Sequence, residues 1–105
     1  QRAEAAAALG VTAEIRLVAG AGVVEVRLSP EEANPDALEL RLSHPLVEAR
    51  DHIVHLRRVP GGWSGSLEPL EGRWYLQLYP GDRSWRLSGE LEGQRELVLA
   101  PAAAR

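Results

Sequence analysis

With 105 residues and 45% hydrophobic composition, the chain is long enough for one domain with a modest core and too short for two. A formal net charge of -3 offers no basic field for a polyanion, which argues against nucleic acid as a partner. The absence of cysteine excludes disulfides, zinc–thiolate centres and cysteine nucleophiles, and the absence of methionine leaves a soft copper(I) site poorly supplied.

Residues 1–10, QRAEAAAALG, read as helix, because alanine and glutamate favour it and Gly10 stands where a helix stops. So short a helix is marginal alone in water. It is therefore expected to continue from an upstream segment, which would hold any membrane anchor. No apolar run in these residues is long enough to span a bilayer.

Over residues 11–105 the hydrophobic period changes to two, the signature of half-buried strands. TAEIRLV sets Ala13, Ile15 and Leu17 against Glu14 and Arg16, and VVEVRLS sets Val24, Val26 and Leu28 against Glu25 and Arg27. ALELRLS and HIVHLRRV follow, with Leu38, Leu40, Leu42, Val54 and Leu56 inward. GWSGSLE places Trp63 and Leu67 on one face. RWYLQLYP turns Trp74, Leu76 and Leu78 inward and Tyr75, Gln77 and Tyr79 outward. SWRLSGEL buries Trp85, Leu87 and Leu91, and RELVLA closes with Leu97 and Leu99. About eight short strands with glycine-rich turns predict an all-β sandwich or barrel. Two connections are longer, Ser29 to Asp36 and His44 to Asp51, and are the expected places for the chain to cross between sheets.

Little in these residues points to catalysis. Ser64 lies within a strand pattern, the wrong setting for an exposed nucleophile, and no glycine-rich phosphate loop precedes a helix. Glu14, Glu25 and Glu39 fall on wet strand faces as solubilising charge. His44, His52 and His55 are the only imidazoles. His52 and His55 are three apart and point to opposite faces of a strand, so no metal site and no cofactor is expected. With no phenylalanine, the three tryptophans must supply the bulk of the core. Tyr75 and Tyr79, both expected outside, form a candidate contact patch.

LSHPLVEARDHIV, residues 42–54, raises a separate question, since His44-Pro45 and Asp51 mark the two ends of one loop. Pro45 holds His44 extended and stops the strand. Asp51 can accept backbone N–H groups of its own loop. Between them Leu46 and Val47 are apolar side chains that a surface loop does not need; one is expected to turn inward and the other to be free for a partner.

Taken in order, LRLSHP, RD, GGWSGSL, EGRWYLQLYP and SWRLSG resemble the periplasmic domain of the FixH family, called CcoH in oxidase operons. The matching residues are His44, Pro45, Asp51, Gly62, Trp63, Gly65, Gly72, Trp74, Trp85, Arg86, Leu87 and Gly89. The resemblance implies an immunoglobulin-like β-sandwich of seven to eight antiparallel strands on the periplasmic side of the inner membrane, held by an N-terminal transmembrane helix. It implies a non-enzymatic accessory factor in assembly or stability of a cbb-type haem–copper cytochrome c oxidase. Its partners would be oxidase subunits or their assembly proteins. His44, Pro45, Leu46, Val47, Asp51, Tyr75 and Tyr79 are then the candidate partner-binding residues. The alternatives are a periplasmic copper metallochaperone using His44, and an adhesion-type or carbohydrate-binding sandwich using Tyr75 and Tyr79.

Overall fold

The computed structural model describes residues 2–18, 20–30, 33–46, 51–68 and 70–101. Helix α1 (Arg2–Leu9) is followed by eight strands: β1 (Thr12–Val18), β2 (Val23–Ser29), β3 (Ala37–Ser43), β4 (His52–Val59), β5 (Gly62–Ser66), β6 (Arg73–Pro80), β7 (Leu87–Glu92) and β8 (Glu96–Leu99). Gly10 ends the helix as expected, at φ 69° and with its N–H donated to the Ala7 carbonyl.

The strands form one antiparallel sheet in the order β7-β6-β3-β4-β5-β2-β1-β8. Laid flat, its edges would stand roughly 34 Å apart, seven spacings of about 4.8 Å. Yet β7 ends at Glu92 and β8 begins at Glu96, a reach of at most about 14 Å. The sheet must therefore curl until its edges meet. There Ser88 and Ala100 exchange both backbone hydrogen bonds, at 2.9 and 3.2 Å. The all-β class and the eight antiparallel strands are as the alternation predicts. The division into two sheets of an immunoglobulin-like sandwich is not confirmed, because the short connection from β7 to β8 draws the strands into a single, nearly closed sheet.

Alternation supplies the core. Leu40, Leu42, Leu78, Leu87 and Leu99 are fully buried, with Trp63, Trp74 and Trp85 among them. A buried indole still needs a partner for its N–H. Trp63 donates to the Pro35 carbonyl and Trp74 to the Glu71 carbonyl, each at 3.0 Å.

The strand directions give the barrel two ends. Helix α1 leads into the start of β1, beside the end of β2; the starts of β3 and β5 lie at this helix end. The end of β3 and the starts of β4 and β6 lie at the opposite, hairpin end.

Two sequence-based expectations change here. The connection from His44 to Asp51 does not cross between sheets, because β3 and β4 are hydrogen-bonded neighbours with Leu42 opposite His52. It is the loop of a hairpin. The Ser29–Asp36 connection does not cross between sheets either, since there is one sheet; it carries the chain past β5 and β4 within it, at the helix end. Tyr79 is on the outer face, but it is only 5% exposed. The guanidinium groups of Arg41 and Arg83 lie over its ring at 5.6 and 5.3 Å and cover it.

Candidate functional site

The β3–β4 hairpin is held at its base by side chain. The Asp51 carboxylate accepts the backbone N–H of His44 at 3.0 Å, joining the two ends of the loop. Beyond it, His44 Nδ1 accepts the N–H of Leu46 at 3.1 Å. Pro45, which lacks an N–H, lies between these two contacts. The His44 ring meets Trp74 edge-on at 5.1 Å between centroids, and His52 lies against the same indole at 5.4 Å. Both histidines share the inward parity of their strands, so they cap the hairpin end of the core over Trp74.

Of the two apolar side chains in the loop, Leu46 is 88% exposed. Val47 lies outside the described residues. The alternation places Ile53 on the outer face of β4, opposite Arg41, and it is 55% exposed. Sequence reasoning passed over Ile53, although an isoleucine at an outward position of HIVHL was the available signal. Tyr75 is exposed on β6, opposite Ser43 of β3. The hairpin end thus brings His44, Pro45, Leu46 and Asp51 together, with Ile53 and Tyr75 on the adjoining sheet face. Tyr79 is near the other end of β6 and beneath its arginine cover.

That cover is a charged cluster the sequence did not announce. Glu39 accepts from Arg41 Nε at 2.8 Å and from Arg83 Nη2 at 3.0 Å. The hydrogen bond from Arg41 holds the Glu39 carboxyl below the usual carboxylate range; burial opposes it next, and the charges of Arg83 and Arg41, and of His55 across the strand pair, add to the lowering. The cluster shields Tyr79 and links β3 to the turn after β6.

The remaining motif residues build the barrel. A Cβ on Gly62 would strike the Val26 carbonyl oxygen. At Gly65 it would stand 2.8 Å from both Leu56 and Val54, and at Gly89 it would stand 2.6 Å from Leu99 Cδ2. Gly72 has φ 87° in the turn before β6. Trp63, Trp74, Trp85 and Leu87 are core. Arg86 precedes β7 and is half-buried.

The imidazoles are not gathered on one ion: His44 and His52 flank Trp74, whereas His55 is on the outer face opposite Glu39. Among the described residues there is no group of three or more potential metal-ligating side chains. Among them, too, no helix is long and apolar enough to cross a membrane.

Fold and site together describe a small antiparallel domain that presents at one end a hairpin tied by Asp51 and His44, with Leu46 exposed. The family model FixH matches residues 1–92, and the chain belongs to the FixH family. That family is not a known family of enzymes. Neither a curated protein nor a solved structure is significantly similar to the chain.

Proposed function

We propose that this protein is a non-enzymatic accessory factor in the assembly or stability of a cbb-type haem–copper cytochrome c oxidase. In this reading it is tethered to the periplasmic face of the inner membrane and acts by protein–protein contact. The observation that carries the reading is membership of the FixH family over residues 1–92. The geometry supports a contact role: Leu46 is almost fully exposed, two residues beyond His44, whose backbone N–H is held by the Asp51 carboxylate. Oxidase subunits and their assembly proteins are the proposed partners.

The test is complementation. Cells lacking the protein are supplied with the full-length tethered form, either wild type or Leu46→Glu, and assembled oxidase is measured by haem staining and oxygen uptake. Wild type restores assembly; Leu46→Glu folds with an unchanged melting temperature and restores less. Oxidase levels indifferent to the presence of the wild-type protein overturn the reading.

A further inference from the structure

The connection from β5 to β6 runs at the hairpin end of the barrel, with residues 67, 68 and 70–72 described. Its Leu67 and Leu70 pack against the core, and the Leu67 N–H is tied to the Gly22 carbonyl at 2.9 Å. Between this segment and the start of β4 runs an open cleft of about 570 Å³, within the size range of ligand-binding clefts. Its apolar lining comes from Leu67 and Leu70, with the buried Val54 and Trp74 beneath and Ile53 at its margin, and His52 and Ser66 line it beside them. Glu68 and Glu71 also line it, both exposed, and among the described residues no lysine or arginine does.

The charge there differs from that of the sheet faces. Arg16 is shared between Glu25 and Glu96, Arg73 between Glu90 and Glu92, and Arg41 and Arg83 hold Glu39. Among the described residues every strand carboxylate but Glu14 is thus paired with an arginine. Among the described residues Glu68 and Glu71 have no such arginine, so two negative charges line a cleft of mixed polar and apolar side chains. A carboxylate pair beside apolar side chains complements a segment that offers a cation and an apolar side chain together. The cleft is also at the end of the barrel opposite α1, so the helix does not obstruct it.

We infer that this cleft binds a basic, apolar segment of a partner protein, with a lysine or arginine between Glu68 and Glu71 and a neighbouring aliphatic side chain against Leu70 and Ile53. The inference rests on the proposed contact role and gives the partner's docking segment its chemistry.

The probe is a short synthetic peptide alternating leucine with lysine and arginine, titrated into the 105-residue chain and followed by backbone amide shifts. A glutamate-for-lysine-and-arginine version, zinc and copper(II) ions alone, and anionic lipid vesicles are titrated in parallel. The basic peptide is expected to shift the amides of Ile53, Glu68, Leu70 and Glu71. Glu68→Lys with Glu71→Lys, both at exposed positions, should weaken it about tenfold without moving the melting temperature. Added salt should weaken it further. Equal binding of the acidic peptide, or binding indifferent to the double substitution, overturns the proposal. So does perturbation of these amides by metal ions or vesicles but not by the basic peptide. In cells, the double variant of the tethered protein should lose assembled oxidase. If it supports assembly like wild type and the peptide does not bind, the cleft assignment fails and the accessory role stands. If wild type itself has no effect on the oxidase, the accessory role fails whatever the peptide does.

Discussion

The Asp51 carboxylate takes the backbone N–H of His44 at 3.0 Å, and this one bond ties the end of β3 to the start of β4 across a loop that Pro45 begins. It is an Asp-to-backbone bond of the kind that caps helices, used here to set a hairpin. Asp51→Ala should therefore cost about 0.5–1.5 kcal/mol. Asp51→Asn, which keeps an acceptor oxygen, should cost less. Thermal melting of both variants checks the ranking. Equal melting of alanine, asparagine and wild type would mean that Pro45 and the strand pairing set the loop without the carboxylate.

The seam between β7 and β8 has its own test. Gly89 faces Leu99 so closely that an added Cβ would stand 2.6 Å from Leu99 Cδ2, while Val98 O and Leu97 Cδ1 are at ordinary distance. Gly89→Ala should cost about 1–3 kcal/mol through overpacking. Only a leucine methyl opposes it, so pairing it with Leu99→Val should recover part of that loss. Denaturant midpoints for the two single variants and the double give the coupling. Purely additive losses would show that the edges do not close on each other at this point. Gly65→Ala offers a contrast: Leu56, Val54 and the His55 carbonyl crowd it together, at 2.8, 2.8 and 3.1 Å, so no single truncation should rescue it.

These features differ in how far they could be read in advance. Strand identity and inward parity were legible because the period of two is a local property, and Val24, Leu40, Leu78 and Trp74 are buried where alternation puts them. The Asp51–His44 bond was legible too, since both partners belong to one loop. Pairing order was not: nothing local to His44 or Asp51 says that β3 and β4 are neighbours, or that residues 93–95 draw the sheet's edges together. Tyr79 shows the limit most clearly. Its parity is outward, but its exposure is set by Arg83, from the next turn, and by Arg41, from a neighbouring strand. The cleft beside Leu70 needed the β5–β6 connection and the start of β4 to come to one end of the barrel, which a linear pattern does not encode.

Glu39 gives the fold a predicted acid limb. Its carboxyl is held below the ordinary glutamate range, first by the Arg41 hydrogen bond and then by the charge of Arg83. A carboxyl whose folded-state value is depressed stabilises the fold above the unfolded-state value, and the gain is lost as pH falls through the folded-state value. Wild type should therefore lose stability as the pH drops below the ordinary glutamate range, and Glu39→Gln should flatten that part of the profile. Near neutral pH the variant should be less stable, since Arg41 and Arg83 would face each other over Tyr79 without their shared carboxylate. Denaturation midpoints across the acid range are the measurement. Parallel profiles for the two proteins would mean that the cluster is too well solvated to matter.

The inward register of β6 can be tested by neighbours on one strand. Trp74 is 1% exposed, caps the core beneath His44 and His52, and satisfies its indole N–H on the Glu71 carbonyl. Tyr75, next to it, is 40% exposed on the outer face. Trp74→Ala should cost about 3–5 kcal/mol, a large share of the stability of so small a domain. Trp74→Phe should cost less, keeping much of the packing and losing the hydrogen bond to Glu71. Tyr75→Ala should stay within about 1 kcal/mol, as surface substitutions do. If Trp74→Ala does not fold, the phenylalanine variant keeps the comparison measurable by chemical denaturation. A Tyr75→Ala loss larger than that of Trp74→Phe would show that β6 turns its other face to the core. The placement of Ile53, Tyr75 and Tyr79 on the outer surface would then have to be redrawn with it.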